Sequence, residues 1–282
     1  MVVMKVAMLL LLGVILGSFV NALVWRLHEQ EALKGKKTKA AKKRLQDLSI
    51  SKGRSMCPHC GHTLAAKDLV PVLSWLWLKG KCRYCQAPIG VQYPAVELLT
   101  GVLFAVSYLA WPYGLHGVGL FQLIVWLVLL VLFVALAVYD LRWFLLPDKL
   151  VVLVTILAVV QTVVVALWLK SLTAAWQPVL GGAIIFGLFW SLYQLSKGTW
   201  IGGGDVKLAA ALGLLAGTPL KAFLVIFFAS LIGTIASIPV LARGKKALGT
   251  HIPFGPCLLL ALVIVVLYGE QIANWYRNLL IM

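Results

Sequence analysis

Acidic residues are scarce in this chain. Nine Asp and Glu stand against 25 Lys and Arg in 282 residues, and charged side chains of both signs make up only 12% of the composition. So little charge, combined with 62% hydrophobic residues and a mean hydropathy of +0.97, excludes a soluble globular domain and leaves a polytopic membrane protein. Nucleotide-binding glycine motifs are missing as well. Gly202-Gly203-Gly204-Asp205 has no Walker pattern and no preceding strand, and no Rossmann-type signature occurs elsewhere, so no nucleotide site is expected. No internal repeat stands out. Cysteine is limited to five residues, four of them in two CxxC pairs. The basic excess would raise nucleic acid as a partner in a soluble protein, but its distribution along this chain is a topology signal, and no nucleic-acid partner is expected.

Apolar length is what the chain has in abundance. Runs near 3–25, 94–111, 119–139, 150–169, 178–195, 220–241 and 252–268 match the ~20 residues needed to cross a bilayer. A further stretch, 206–217, would cover only about 18 Å of a core about 30 Å thick. Charge decides whether it crosses. The segment from Arg26 to Tyr93 holds 14 Lys and Arg, including Lys34, Lys36, Lys37, Lys39, Lys42, Lys43 and Arg44, which assigns it to the cytoplasmic side. For the basic turns around Arg142 and Lys149, around Lys197 and Lys207, and at Arg243-Gly244-Lys245-Lys246 to share that side, 206–217 has to cross and turn back at Thr218-Pro219. The expected fold is therefore all-α and polytopic, with about eight transmembrane helices and both termini outside. Only Lys5, Lys170, Lys221 and Arg277 among the basic residues fall on the outer side. The first run has no small-x-small cleavage site before Arg26 and is expected to be a retained anchor. Three regions result: 1–26, a first transmembrane helix; 27–93, a cytoplasmic insert between the first and second helices; and 94–282, the remaining transmembrane domain.

The insert opens with a Lys- and Ala-rich arm over about 28–54, helical or disordered, suited to lie against anionic lipid. Behind it come Cys57-Pro58-His59-Cys60 and Cys82-Arg83-Tyr84-Cys85, whose spacing resembles a zinc ribbon. Four thiolates satisfy a tetrahedral ion and leave no open position, so the expected role is structural. Two disulfides are the competing explanation, and a reducing cytoplasm argues against them. His59 and His62 are expected outside the ligand set, and Cys257 as a buried small hydrophobe.

Two carboxylates carry the chemistry. Asp140 ends an apolar run, and Asp205 follows three glycines at the mouth of the short segment, where positive φ, close backbone approach and unwinding are all open to the chain. A carboxylate at membrane depth is costly, and two at helix termini on one side suggest a pair that shares a proton and activates water. Asp140 alone is also compatible with a headgroup-solvated residue. Asp148, after Pro147, reads as the N-terminal cap of the next helix. Ile252-Pro253-Phe254-Gly255-Pro256 is either a plain helix start or a wall of the same cavity.

Together these residues resemble the type IV prepilin peptidase family of bifunctional membrane aspartic proteases. The likeness runs through Gly17-Ser18-Phe19-Val20-Asn21, Arg26, both CxxC pairs, Pro71-Val72-Leu73-Ser74-Trp75-Leu76, Gly80-Lys81-Cys82, Tyr93-Pro94-Ala95-Val96-Glu97, Asp140, Leu146-Pro147-Asp148, Gly202 to Lys207 and Ile252 to Pro256. It implies that Asp140 and Asp205 are the catalytic pair, with Gly202, Gly203, Gly204, Lys207, Pro253, Gly255 and Pro256 around them. The implied fold is akin to other intramembrane proteases with a Gly-x-Gly-Asp signature, such as presenilin. The resemblance further implies prepilin or pseudopilin substrates, a bacterial inner-membrane location, and methyl transfer from S-adenosylmethionine by the insert. Asp68 stands where that family usually has Asn, and the arm is more basic than is common. A rival reading is a proton-coupled transporter using Asp140 and Asp205 as a relay; it requires inverted symmetry between halves, which the chain does not display.

Overall fold

The computed structural model describes residues 1–36, 38–50, 53–242 and 253–281. Lys37, the basic turn Arg243-Gly244-Lys245-Lys246 and Ile252 lie outside the described residues. Regular structure among the described residues is helical, with only two isolated β-bridges beside it. The chain divides into two compact units, Met1–Leu109 and Ala110–Met282.

The first unit is built on α1 (Val2–Ala32) and α4 (Gln92–Leu109). Their backbones nearly touch: a Cβ on Gly13 would lie 2.8 Å from Gly101 Cα, and one on Gly17 would lie 2.7 Å from Glu97 Cα. Small residues at the contact are how helices associate in lipid, where burial of apolar surface offers little drive. Asn21 Nδ2 donates to Tyr93 O at 3.0 Å, adding a polar tie. Helix α1 runs well past the apolar segment because Arg26, 6% exposed, turns back and donates to the carbonyls of Ser49, Ile50 and Gly53. Those contacts hold the basic arm, whose core is α2 (Lys39–Asp47), capped by the Thr38 hydroxyl accepting from Ala41 N. A 3-10 turn (Ala66–Asp68) and the short α3 (Leu73–Trp77) complete the insert.

The second unit holds α5 (Gly117–Trp143), α6 (Asp148–Leu169), α7 (Leu172–Ser196), α8 (Gly203–Ala216), α9 (Pro219–Leu241) and α10 (Gly255–Ile281). Over their apolar windows α5 is 67% buried and α10 61%, against 22%, 28% and 17% for α6, α7 and α9, so α5 and α10 form the centre. Helix α8 is also interior, with Leu208, Ala209, Ala211 and Leu212 fully buried. It meets α7 at glycines: a Cβ on Gly213 would lie 2.4 Å from Gly181 O and 2.5 Å from Gly182 Cα. Helix α8 stops at Gly217, whose φ of +82° ends it, and Pro219 starts α9 in the position that needs no N–H donor. The reversal falls at the expected Thr218-Pro219.

The eight expected segments fall on α1 and α4 to α10. Among the described residues, six helices are long and apolar enough to cross a membrane. The other two are α4, at 18 residues or about 27 Å, and α8, at 14 residues or about 21 Å. One expectation is corrected: Asp148 is not a cap. Pro147 takes the cap position, and Asp148 is the first helical residue, its carboxylate paired with Lys207 Nζ at 2.7 Å.

Candidate active site

Asp140 and Asp205 come from opposite ends of their helices to one place. Asp140 is in the last turn of α5, 6% exposed, and its carbonyl accepts from Phe144 N at 2.8 Å where the left-handed Phe144 ends the helix. Asp205 is in the first turn of α8, with Gly202 as the cap residue. Gly255, the first residue of α10, lies between them. A Cβ on Gly255 would stand 2.6 Å from Asp140 Oδ2 and 3.5 Å from Asp205 Oδ1. Those distances bound the gap between the two oxygens at about 6 Å, within the range where one carboxylate feels the other's charge. The Gly255 backbone N–H also hydrogen-bonds the Asp140 carboxylate. Asp205 Oδ1 is buried with no hydrogen-bond partner. An orphan carboxylate oxygen beside a second carboxylate calls for a shared proton or a water.

The three glycines before Asp205 act by absence of bulk. None has a positive φ, contrary to the freedom expected of them: Gly202 is extended, at φ −70° and ψ 144°, and Gly203 and Gly204 are already helical, so the mouth of α8 is wound. A Cβ on Gly204 would sit 3.0 Å from Leu146 Cβ, so this glycine lets α8 close onto the segment after α5. A Cβ on Gly202 would lie 3.4 Å from Asp205 Oδ2, and one on Gly203 3.8 Å from Tyr193. Lys207 does not join the aspartates; its exposed ammonium goes to Asp148. Pro253 and Pro256 are half-buried around Gly255, and Phe254 stacks on Phe189 at 6.1 Å, which seats the start of α10 against α7. Cys257 is 7% exposed, as expected of a small hydrophobe, yet it lies within electrostatic reach of both aspartates. Its only signal in the sequence was its position two residues after Gly255.

The cysteine cluster belongs to the first unit. Sγ atoms of Cys57, Cys60, Cys82 and Cys85 all lie within 4.8 Å of one another. A tetrahedral ion with metal–sulfur bonds of about 2.3 Å needs sulfurs about 3.8 Å apart; Cys57 and Cys85 are 3.8 Å apart. The two loops are built alike. Cys57 N donates to His62 O and Gly61 N to Cys57 O, and in the second loop Cys82 N donates to Ala87 O and Gln86 N to Cys82 O. Gly61 and Gln86 take positive φ at matching positions. Burial works to raise the Cys82 thiol, but the N–H groups of Cys85 and Tyr84 and the neighbouring thiols outweigh that and lower it, while the same contacts among the thiols help to raise Cys57 and Cys85. His62 stacks on Tyr84 at 3.7 Å and, like the exposed His59, is outside the cluster. Asp68, 3% exposed at its side chain, clamps the second loop through Arg83 Nε at 2.7 Å and Tyr84 Oη at 3.0 Å. Burial pushes its carboxyl up, but Arg83, Tyr84 and Ala65 N–H together hold it below the usual value.

Comparison with known proteins gives the family. The bacterial peptidase A24 N-terminal domain matches residues 11–111, and the type IV leader peptidase family matches residues 127–238. A type 4 prepilin-like proteins leader peptide-processing enzyme of Escherichia coli is 37% identical over 88% of this chain and 88% of its own length. The chain belongs to the type IV leader peptidase family. Other relatives are named prepilin leader peptidase/N-methyltransferase. The Pseudomonas aeruginosa protein is 34% identical over 95% of this chain and 91% of its own, and the Bacillus subtilis protein is 34% identical over 81% and 87%. No solved structure matches the chain. The first family region runs from residue 11, within α1, through the cysteine cluster and α4, while the second contains Asp140, Asp205 and α8.

Proposed function

We propose that this multi-pass membrane protein is a prepilin peptidase and N-methyltransferase. It hydrolyses the bond between a short basic leader and the apolar helix of a prepilin or pseudopilin, using Asp140 and Asp205. The observation that carries the reading is the Gly255 contact, with two carboxylates about 6 Å apart at most and one oxygen of Asp205 buried without a partner. In the reaction the pair holds one proton. The ionised carboxylate takes a proton from water as the water oxygen bonds to the scissile carbonyl carbon, and the neutral carboxyl protonates the carbonyl oxygen. Collapse of the tetrahedral species then breaks the C–N bond, with a proton delivered to the departing amine. Neither Asp has a fixed role. Gly202, Gly204, Gly255 and the flanking Pro253 and Pro256 keep the two helix ends close enough to share that proton. No observation favours proton-coupled transport.

The division of labour we infer is a transmembrane anchor at 1–26, methyl transfer within 27–93, and proteolysis within 94–282. The cysteine cluster suits Zn2+ in a structural role, since its four thiols match the geometry of a closed site. S-adenosylmethionine is the methyl donor that the relatives' names imply. The chain has no glycine-rich loop of the kind that binds it in Rossmann folds. The distribution of basic residues supports placing insert and aspartates on the cytoplasmic side and both termini outside; a bacterial inner membrane is what the family implies. The leader is itself basic and is not drawn to the basic arm; both dock on anionic lipid, which confines their encounter to the membrane surface. Purified protein given a synthetic prepilin, with and without S-adenosylmethionine, tests the reading by intact mass: loss of the leader in both, and a methyl increment only with the donor. An uncleaved substrate refutes it.

A further inference from the structure

A second polar site lies in the second unit, far from the aspartates. It is a cavity of about 190 Å³ whose walls include Tyr113, Gln122, Trp126, Gln161, Lys221 and Glu270. Gln122 precedes Asp140 on α5 by a rise of about 27 Å, so cavity and carboxylate pair occupy opposite ends of that helix. The cavity exists because α8 is short. Gly217 and Thr218, where α8 gives way to α9, form part of its wall, and the missing helical turns leave room among the longer neighbours.

Its chemistry is unusual for a membrane interior. Lys221 is 4% exposed, donates to Glu270 Oε1 at 2.8 Å, reaches Tyr113 Oη at 3.5 Å, and lies 5.7 Å from the centre of the Tyr113 ring. Glu270 is 53% exposed at its side chain and marks the mouth. Gln161 Oε1 is buried with no hydrogen-bond partner, so the wall lacks a donor at that point. The cavity is smaller than the roughly 300 Å³ at the low end of ligand pockets. It therefore takes a small fragment and not a whole cofactor. One buried cation and one carboxylate cancel, which favours a zwitterion over a lone anion. Aromatic walls at the ends of apolar helices are characteristic of headgroup depth.

We propose that this cavity binds the headgroup of a zwitterionic aminophospholipid. Its phosphate meets Lys221, and its ammonium meets Glu270 and donates to Gln161 Oε1. A lipid so held fills the space left by the short helix and fixes the far end of α8. The inference is independent of proteolysis, because its test reads lipid binding and melting only. Full-length protein is depleted of lipid in detergent, and its melting temperature is followed while short-chain phosphatidylethanolamine, phosphatidylcholine, phosphatidylglycerol or free phosphoethanolamine is added. The wild type should gain several degrees with phosphatidylethanolamine and less with each of the others. The variant Gln161→Leu should melt higher than wild type when lipid-free, having lost the orphan acceptor, and gain little from phosphatidylethanolamine. Lys221→Met should retain at least tenfold less co-purified phosphatidylethanolamine by mass spectrometry; if it fails to fold, the Gln161 arm decides. Equal gains for wild type and Gln161→Leu, or equal gains from phosphatidylcholine, overturn the proposal as nonspecific lipid stabilisation. An equal gain from free phosphoethanolamine overturns the lipid as source, and no gain from any addition means that the cavity holds only water.

Discussion

Replacing Gly255 by Ala isolates the contact on which the catalytic reading depends. The substitution carries no backbone strain, since Gly255 opens α10 without a positive φ, and Ala favours helix over Gly by about 1 kcal/mol. All of its cost is local. The new methyl would stand 2.6 Å from Asp140 Oδ2, well inside van der Waals contact, and 3.5 Å from Asp205 Oδ1. Asp140 is buried at the end of a helix, so its carboxylate has to swing away from its partner by several tenths of an ångström or more. A displacement near 1 Å costs about 100-fold in rate, or about 2.7 kcal/mol of transition-state stabilisation. Overpacking of about 1–3 kcal/mol, only partly offset by the helix preference, lowers stability by up to about 2 kcal/mol. The assay is cleavage of a synthetic prepilin by intact mass, alongside thermal unfolding of the same preparation. Gly187→Ala is the control, because a Cβ there meets nothing within 4 Å. Cleavage by Gly255→Ala within about threefold of wild type would refute the idea that this gap sets the geometry.

Asp140→Asn and Asp205→Asn should each lower cleavage by about 10²–10⁴-fold without loss of membrane insertion, because an amide keeps the shape and cannot exchange the proton; substantial activity in either removes that residue from the pair. Cys57→Ser or Cys82→Ser should release zinc and open the insert to proteolysis, with methylation falling more than cleavage; wild-type protein purified without chelator and found free of zinc by metal analysis would contradict this. Asp68→Asn should loosen the second cysteine loop at neutral pH, read as faster amide exchange around Arg83 and Tyr84. The folded Asp68 carboxyl titrates below its unfolded value of about 3.9, so its contribution is present above that pH and lost as pH falls through the folded value. The difference between wild type and variant should therefore shrink below about pH 4; a difference constant with pH would assign the effect to packing instead.

Much of this was legible in the sequence because lipid imposes simple rules. Apolar length located α5 within a few residues, and the count of basic turns required 206–217 to cross even though length alone did not. Paired CxxC spacing sufficed to foresee the cluster of four cysteines. Helix ends were less legible. Helix α10 continues to Ile281 through Glu270, Asn274 and Arg277, which break the apolar run without breaking the helix, and α1 outruns its segment because Arg26 finds its carbonyl partners more than twenty residues away. Lys221 read only as an outer-side cation, and its enclosure with Glu270, a partner 49 positions along the chain, was not legible. Gly255 read as a helix start or a cavity wall; that it separates two carboxylates depends on three helix ends meeting, which no local pattern encodes.

The glycine seam between α7 and α8 limits how a substrate can arrive. With Gly213 against the backbone of Gly181 and Gly182, the two helices cannot slide by one residue, about 1.5 Å of rise and a rotation of about 100°, without driving a side chain into a neighbouring main chain. That seam is eight residues, or about 12 Å, from Asp205 along α8. On the proposed reading Asp205 therefore rides on a rigid α7–α8 pair. Opening to admit an extended peptide moves that pair as one body against α5 and α10, and a cross-link between α7 and α8 should leave turnover intact while one between α8 and α10 stops it.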